Sequence, residues 1–449
     1  MCDVPRDESP TVADRDLSTP FTRHLALICL GLLLAVRVWN MATLSLWDPS
    51  EARYAVISAN MARSGDYLRP AFYHHDRYQT FAGKPPLAFQ LGAGACKLLG
   101  ESAFAVRLPS FLCALAILWM LRRAAGNLRA PLVCLTTPAF LLLSGICMTD
   151  MPLSCAVFAT LLSARAYLRR PGWTPALCCA AAAAAGFLIK GPVALVLGGL
   201  PPALYALLNR RPIRLRHALA TGGLFLLLAA PWFVAMEVRE PGTLRYFFLN
   251  ENFGRFLVQE YGDRYGSGHK TFFGVAVPWF LAAAAPWSLA LFRRRAWRRL
   301  RANFPALATV TMVGFWCLTP RCPIAYLLPA IPTAAWWIAQ RPPRAFRRWP
   351  ALAYAFALAF FVGTLLLPHL NPRKFPAAFY AALPLTATVS FARETPYSAD
   401  FYLARRVRRD GSGAVRVQSA HAGRRKVWEA TSAPAEEAEE GSVGEAREE

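Results

Sequence analysis

Apolar runs of bilayer-spanning length recur from residue 24 to residue 368, and this recurrence constrains the fold more than any other feature. About 20 consecutive apolar residues make a helix that crosses a hydrocarbon core of about 30 Å. Inside lipid the backbone must satisfy its own polar groups, which leaves helices as the natural spanning element. Composition agrees. Of 449 residues, 55% are hydrophobic and only 17% are charged, against about one-quarter charged in an average soluble protein. A formal charge of +23 would suit a nucleic-acid binder, but the basic residues are mostly Arg in short clusters between apolar runs. That placement belongs to cytoplasmic loops and excludes the nucleic-acid reading. Of the eleven Cys, most lie inside apolar runs (Cys29, Cys113, Cys134, Cys178, Cys179, Cys317) and none has zinc-ligand spacing. We read them as small buried hydrophobes rather than a disulfide framework.

Orientation follows from the Arg clusters. Acid-free, Arg-rich loops fall at 122–129, 165–175, 209–217, 293–303 and 341–349, and the positive-inside rule puts them in the cytoplasm. The sequence between consecutive loops holds two spans. The expected spans are 24–44, 104–121, 130–147, 151–168, 174–189, 191–208, 217–236, 272–292, 304–319, 323–340 and 350–368. This is an all-α polytopic membrane protein with about eleven transmembrane helices, its N-terminus inside and its C-terminus outside. Residues 1–23 are polar and mixed in charge, so they form a cytoplasmic segment and the first helix is an uncleaved anchor. Leu87–Leu99 is too short to span and is interrupted by Gln90 and Lys97, so it reads as an amphipathic helix on the outer surface. Two large external loops, 45–103 and 237–271, complete a membrane domain over 24–368. Residues 369–410 read as a small external strand–helix unit, and the Gly/Ser/Ala/Glu-rich 411–449 as a disordered tail.

This topology makes a statement about acids. Between residues 24 and 392 they are Asp48, Glu51, Asp66, Asp76, Glu101, Asp150, Glu237, Glu240, Glu251, Glu260 and Asp263, and all fall outside. Acids contribute little to orientation, so nothing in topology requires this. Carboxylates collected on one membrane face look like a site. The first external loop adds Arg53, Tyr54, His74, His75 and Lys84, charge that a membrane protein keeps mainly for function. From Ser50 the pattern is helical, with Ala52, Ala55, Val56, Ala59 and Met61 on one face. Ser50 as cap and Glu51 in the first turn would make an ordinary interfacial helix, the plain alternative to a functional role.

Each further candidate has a plain alternative as well. Lys84 in GKPPL is held outside any helix by two following prolines, which suits an ammonium aimed at a phosphate. A snorkelling lysine is the alternative. Asp150 in TDMPL is either an N-cap before Pro152 or a group facing the external pocket. Lys190 in IKGPV is either a snorkelling residue or its counterpart across the junction. Leu244–Val258 is amphipathic and aromatic-rich, an interfacial helix by its spacing, and carries Glu251. His269 closes that loop, and Arg321 and Tyr326 sit at the outer end of two late spans. No HExxH-type motif is present, so spacing identifies no metal site. Cations suit a lipid phosphate and carboxylates suit a general base. Together they point to transfer of a group carried on a lipid phosphate.

The segments SEARYA, SGDYLRP, GKPPLAF, FAVRLPS, TDMPL, IKGPVAL, PWF, REPG, YFF, FGRF, PWS and AYLLP follow one another in this order. Over about residues 24–340 the chain thereby resembles bacterial glycosyltransferases related to aminoarabinose lipid A transferase and, more distantly, dolichyl-phosphate-mannose protein mannosyltransferases. The resemblance implies a GT-C fold and polyprenyl-phosphate sugars used at the outer face of the bacterial inner membrane. It implies that Arg53 and Lys84 hold the donor phosphate, with His269, Arg321 and Tyr326 beside them. His269 is associated with metal or phosphate in the family. Asp150 corresponds to the acid of the second outer loop, and Tyr54, Lys190 and Glu251 would line the substrate pocket. Two departures stand out. The family's expected base precedes Glu51, and here that position is Ser50, leaving Asp48, Glu51 and Asp150 as catalytic candidates. A family metal carboxylate precedes the Lys of KPP, and here it is Gly83, so a divalent metal is an open question. The expected activity is sugar transfer from undecaprenyl phosphate to lipid A, another glycan or a protein. The rival is a transporter or flippase of lipid-linked sugars, disfavoured because no repeat is evident and charge clusters at one face.

Overall fold

The computed structural model describes residues 20–74, 77–254, 271–297, 299–340, 349–370, 376–392, 395–403, 406–410, 412–422 and 425–432. Helices dominate. They begin with α1 (Pro20–Thr43), α2 (Ser50–Ser64), α3 (Leu87–Leu99), α4 (Ala103–Ala125), α5 (Arg129–Leu135) and α6 (Pro138–Leu143). There follow α7 (Asp150–Arg169), α8 (Trp173–Lys190), α9 (Pro192–Leu208) and α10 (Leu215–Arg239), then α11 (Ala276–Ala283), α12 (Phe304–Cys317), α13 (Ala330–Ala339) and α14 (Trp349–Leu370). Among the described residues four of them, α4, α7, α8 and α10, are long and apolar enough to cross a membrane. Leu219, Leu226, Leu227, Val234 and Val238 of α10 are exposed, as expected of a helix whose solvent is lipid.

Helix falls in each of the eleven expected spans, but three of those segments are broken. Residues 130–147 divide into α5 and α6, with Pro138 starting the second piece. Residues 272–292 divide into α11 and a 3₁₀ helix, Trp287–Phe292, after Pro286. Residues 323–340 divide into the 3₁₀ turn Ile324–Leu327 and α13, separated by Pro329. Proline lacks a donor and its ring clashes with the preceding turn, which accounts for each break.

The main core runs through α4 to α9, α12 and α13, around Ile117, Leu121, Phe140, Phe158, Leu197 and Trp337. A second core lies in the first loop region, where α2 packs on α3 through Ile57, Met61, Phe72, Phe81 and Phe89. Between these helices runs a hairpin the sequence did not announce, β1 (Ala71–His74) with β2 (Arg77–Thr80), antiparallel with Ala71 opposite Thr80. The C-terminal unit holds α15 (Ala377–Ala381), β3 (Val389–Phe391) and α16 (Tyr397–Tyr402), and α16 packs on α2.

Three expectations need correction here. The tail reading fails over part of its length: β4 (Val415–Ala422) and β5 (Arg425–Ser432) form a hairpin that joins β3 in one sheet. Val415 and Val417 pack against the C-terminal core and Trp428 meets Phe391, contacts invisible in composition. Residues from 433 lie outside the described residues. Ser50 is the first helical residue of α2 rather than its cap; Pro49 holds the cap position and supplies no side-chain bond. Of the six named cysteines only Cys29 and Cys134 are buried, and Cys178 is exposed, because a spanning helix turns part of its apolar surface to lipid.

Candidate active site

The apolar face of α2 is buried as its spacing requires, and this fixes Glu51 at 3% exposure beside the start of α4. There the Glu51 carboxylate accepts four hydrogen bonds. Arg107 donates Nε to Oε1 at 2.7 Å and Nη2 to Oε2 at 2.9 Å. The backbone N–H groups of Trp47 and Cys147 donate at 3.0 Å each. Arg107 also donates to the carbonyls of Met41, Leu44 and Ser45. Burial pushes the Glu51 carboxyl up, but the Arg107 guanidinium and the backbone N–H groups of Cys147 and Trp47 together hold it below its usual range. A carboxylate so fully engaged is a clamp between the end of α1 and the start of α4. To act as the base expected of it, Glu51 would first have to release one of these bonds. Arg107 was visible only as part of FAVRLPS, and no local spacing connects it to Glu51.

Asp48 faces elsewhere. Its Oδ1 accepts from the Ser398 backbone N–H at 3.1 Å, while Oδ2 is buried with no hydrogen-bond partner. Burial pushes its carboxyl from 3.8 up to about 6. Tyr397, the neighbour of Ser398, bonds His74 Nδ1 through its hydroxyl at 3.0 Å. The Tyr397 ring also lies 5.9 Å from the Arg53 guanidinium, which approaches the rings of Tyr54 and Phe81 at 5.5 and 5.6 Å. Asp48 and Arg53 are thus engaged with the C-terminal unit and with aromatic faces.

The remaining candidates converge. Asp150 is the first residue of α7 and makes no cap; its Oδ1 accepts from Lys190 Nζ at 2.6 Å, with both side chains buried. This removes the capping and snorkelling alternatives together. Lys190 also stands 4.1 Å from the centre of the Tyr326 ring. Lys84 lies outside any helix, in the turn before α3, and donates to Glu251 Oε1 at 2.5 Å and to the Gly83 carbonyl at 2.8 Å. Glu251 belongs to a π-helix, Tyr246–Gly254, within the segment expected as an interfacial helix. Phe247 of the same element packs on Gly191, whose φ of +77° favours glycine and whose added Cβ would lie 2.4 Å from the ring. The IKGPV motif therefore seats the π-helix beside Lys190.

Lys84, Lys190, Glu251, Arg321 and Tyr326, with Val193, Asn252 and Trp316, line one cavity of about 30 Å³. Val193, Asn252 and Trp316 carried no signal in the sequence beyond their place in helical or amphipathic runs. Tyr54 is buried next to this cluster. Burial raises its phenol, Arg53 and Lys190 act to lower it, and Asp150 and Glu251 act to raise it. The Arg53 guanidinium lies 5.5 Å from its ring, and the two lysine–carboxylate pairs are close enough to act on its phenol. Beyond the π-helix opens a wider groove of about 640 Å³ lined by Arg69, Tyr78, Thr80, Glu240, Tyr246 and Asn250 among others. His75 and His269 lie outside the described residues. Among the described residues no group of three His, Cys, Asp or Glu side chains is gathered. Asp150 and Glu251 are each occupied by a lysine and Gly83 has no side chain. These residues do not fit a carboxylate metal centre.

The architecture matches known structures. ArnT from Cupriavidus metallidurans bound to undecaprenyl phosphate superposes with a TM-score of 0.67 at 19% identity, covering 88% of this chain and 92% of that one. The fold is that of the GT-C membrane glycosyltransferases. Residues 83–234 match the family model described as dolichyl-phosphate-mannose-protein mannosyltransferase. Undecaprenyl phosphate-alpha-4-amino-4-deoxy-L-arabinose arabinosyl transferases are similar over a longer stretch. The Pectobacterium carotovorum protein is 29% identical over 72% of this chain and 63% of its own length. That of Pseudomonas aeruginosa is 30% identical over 67% and 54%. The chain is thus related to the aminoarabinose transferases and, over residues 83–234, to the dolichyl-phosphate-mannose-protein mannosyltransferases. It spans less than two thirds of the length of these curated relatives.

Proposed function

We propose that the protein transfers a sugar from a polyprenyl (undecaprenyl) phosphate carrier to an acceptor outside the membrane, such as lipid A or another cell-envelope glycan. The observation that carries this reading is the cavity that gathers Lys84, Lys190, Arg321 and Glu251, with Asp150 paired to Lys190. Breaking the bond between the anomeric carbon and the phosphate oxygen leaves negative charge on the carrier phosphate. Lys84 and Arg321 are placed to stabilise it, with Tyr326 beside them and His269 added by the resemblance. The attacking hydroxyl gives its proton to a carboxylate. Asp150 is the candidate best placed for that role, since Lys190 engages Oδ1 and orients the group. Arg53 acts from behind the Tyr54 ring.

A cavity of about 30 Å³ holds roughly one water and is too small for a phosphate. Glu251 stands on the ammonium that the donor phosphate would take. Donor binding in this reading exchanges Glu251 for phosphate, and the groove beside the π-helix receives sugar or acceptor. In orientation, the Arg-rich loops and the N-terminus face the cytoplasm, and the site faces the periplasm of a bacterial inner membrane. The relative with undecaprenyl phosphate bound supports the donor class.

The test is transfer of a labelled sugar from its polyprenyl phosphate to acceptor by the purified chain in liposomes. Lys84→Ala and Asp150→Asn should each lower turnover roughly 10²–10⁴-fold. Near-normal turnover in both overturns the site. Movement of labelled donor across the bilayer with no new glycosidic bond selects the transporter instead.

A further inference from the structure

The helices that carry the candidate site have a second constellation at their other ends. Helix α7 starts with Asp150 and carries Arg165 and Arg169 in its last turns. Helix α9 has Val193 near its start and Tyr205 near its end, and α12 has Trp316 near its end and Phe304 at its start. Fifteen residues of helix separate Asp150 from Arg165, which at 1.5 Å per residue is about 22 Å. At this far end, Arg165, Arg169, Arg211 and Arg299 line a cavity of about 430 Å³.

Three features make it more than a set of loop charges. First, among the described residues none of these four arginines has a carboxylate partner, whereas Lys84, Arg107 and Lys190 each do. Loop charges that only orient a chain have no reason to gather around a cavity. Second, the cavity is built. Arg165 lies 4.6 Å over the ring of buried Trp336. Asn303 caps α12 by accepting from the Ala306 N–H and donates to Gln340 at 2.7 Å. Asn209 donates to the Arg301 carbonyl at 2.8 Å, which ties two of the Arg-rich loops together. The positive end of α12 opens into the same space, because Asn303, Phe304 and Pro305 line it. Third, apolar side chains are exposed close in sequence to three of its lining residues: Leu207 at 75% beside Tyr205, Leu215 at 72% after Arg211 and Trp297 at 46% before Arg299.

We propose that this cavity binds a phosphate-bearing anion, the headgroup of an anionic phospholipid, on the face of the membrane opposite the candidate site. Guanidinium forks match phosphate oxygens in pairs, the volume suits a small headgroup, and the apolar neighbours accept the acyl chains. A free phosphate compound shares the first two terms and lacks the third.

The experiment uses the purified full chain in neutral phosphatidylcholine nanodiscs, titrated with phosphatidylglycerol or, separately, with inorganic phosphate. Bound lipid is counted by native mass spectrometry and stability is followed by thermal melting. The proposal expects a retained phosphatidylglycerol and a melting point raised by several degrees. Arg165→Gln with Arg299→Gln should weaken lipid retention at least tenfold. Arg122→Gln with Arg123→Gln, which removes equal charge from another Arg-rich loop, should retain lipid. Arg165→Lys with Arg299→Lys keeps the charge that orients the loops, so a misfolded Gln pair is not decisive; the Lys pair should still lose several-fold in retention. Equal losses in the loop control, or full retention by both cavity pairs, overturn the site. Stabilisation by inorganic phosphate with no lipid retained overturns the lipid as its source.

Discussion

The two ends of the helix bundle treat positive charge in opposite ways. At the end with the candidate site, cations are buried and matched: Arg107 with Glu51, Lys190 with Asp150, Lys84 with Glu251. At the other end, Arg169, Arg211 and Arg299 are exposed and, among the described residues, unmatched by any acid. A buried charge is tolerable only when paired, while an exposed arginine stays solvated at little cost. The lesson concerns the net charge of +23. It reflects the unmatched end and says nothing of the candidate site, where the charges nearly cancel.

The comparison can be broken most sharply at Arg107. Arg107→Ala leaves Glu51 buried without its guanidinium and should cost about 3–5 kcal/mol, read as a large drop in melting temperature. A neutral result would mean that the clamp is not structural. Next is Asp48. Its proton is held more tightly in the folded state, with a carboxyl raised from 3.8 to about 6. Stability from this group is therefore fully present below about pH 4 and is lost as pH rises through about 6, by up to about 3 kcal/mol. Asp48→Asn should remove that dependence, so the melting-point advantage of the variant should grow between about pH 4 and 6 and level off above. A constant difference across this window would refute it.

Gly191→Ala forces a side chain onto a φ of +77° and against Phe247. It should cost about 1–3 kcal/mol and loosen donor binding, because it unseats the π-helix. Glu251→Gln removes the group competing for Lys84 and should tighten donor binding about tenfold, roughly 1.4 kcal/mol. Weaker donor binding would show that Glu251 serves as a ligand rather than a stand-in. The smallest effect is expected at the exposed end. In neutral lipid, Arg211→Gln should leave the melting temperature within about 2 °C.

Much of the fold was legible because membrane helices are written in runs. Hydropathy and Arg clusters located helix in every expected span, and Leu87–Leu99 forms a helix with those bounds. Prolines inside the runs broke three of them, a local signal that span-counting overlooks. Composition misread 415–432, where alternating Val and Trp residues gain a sheet partner only once β3 is in place. In the site, Lys84, Asp150, Lys190, Glu251, Arg321 and Tyr326 stood out as charge or motif where lipid discourages both. Their pairing did not, since Lys84 and Glu251 are 167 residues apart.

The sequence by itself determined that this is a helical membrane protein, which end collects the carboxylates, and which family its motifs resemble. Those properties are local or additive along the chain, and a bilayer enforces them residue by residue. Only the tertiary structure decided which partners each carboxylate meets. Glu51 and Asp150 are both acids at the first turn of a helix. One meets a guanidinium and two backbone N–H groups and is fully bound; the other meets a lysine that lines a cavity. What a buried charge can do depends on the partners that folding brings to it, and those partners lie far away in the chain.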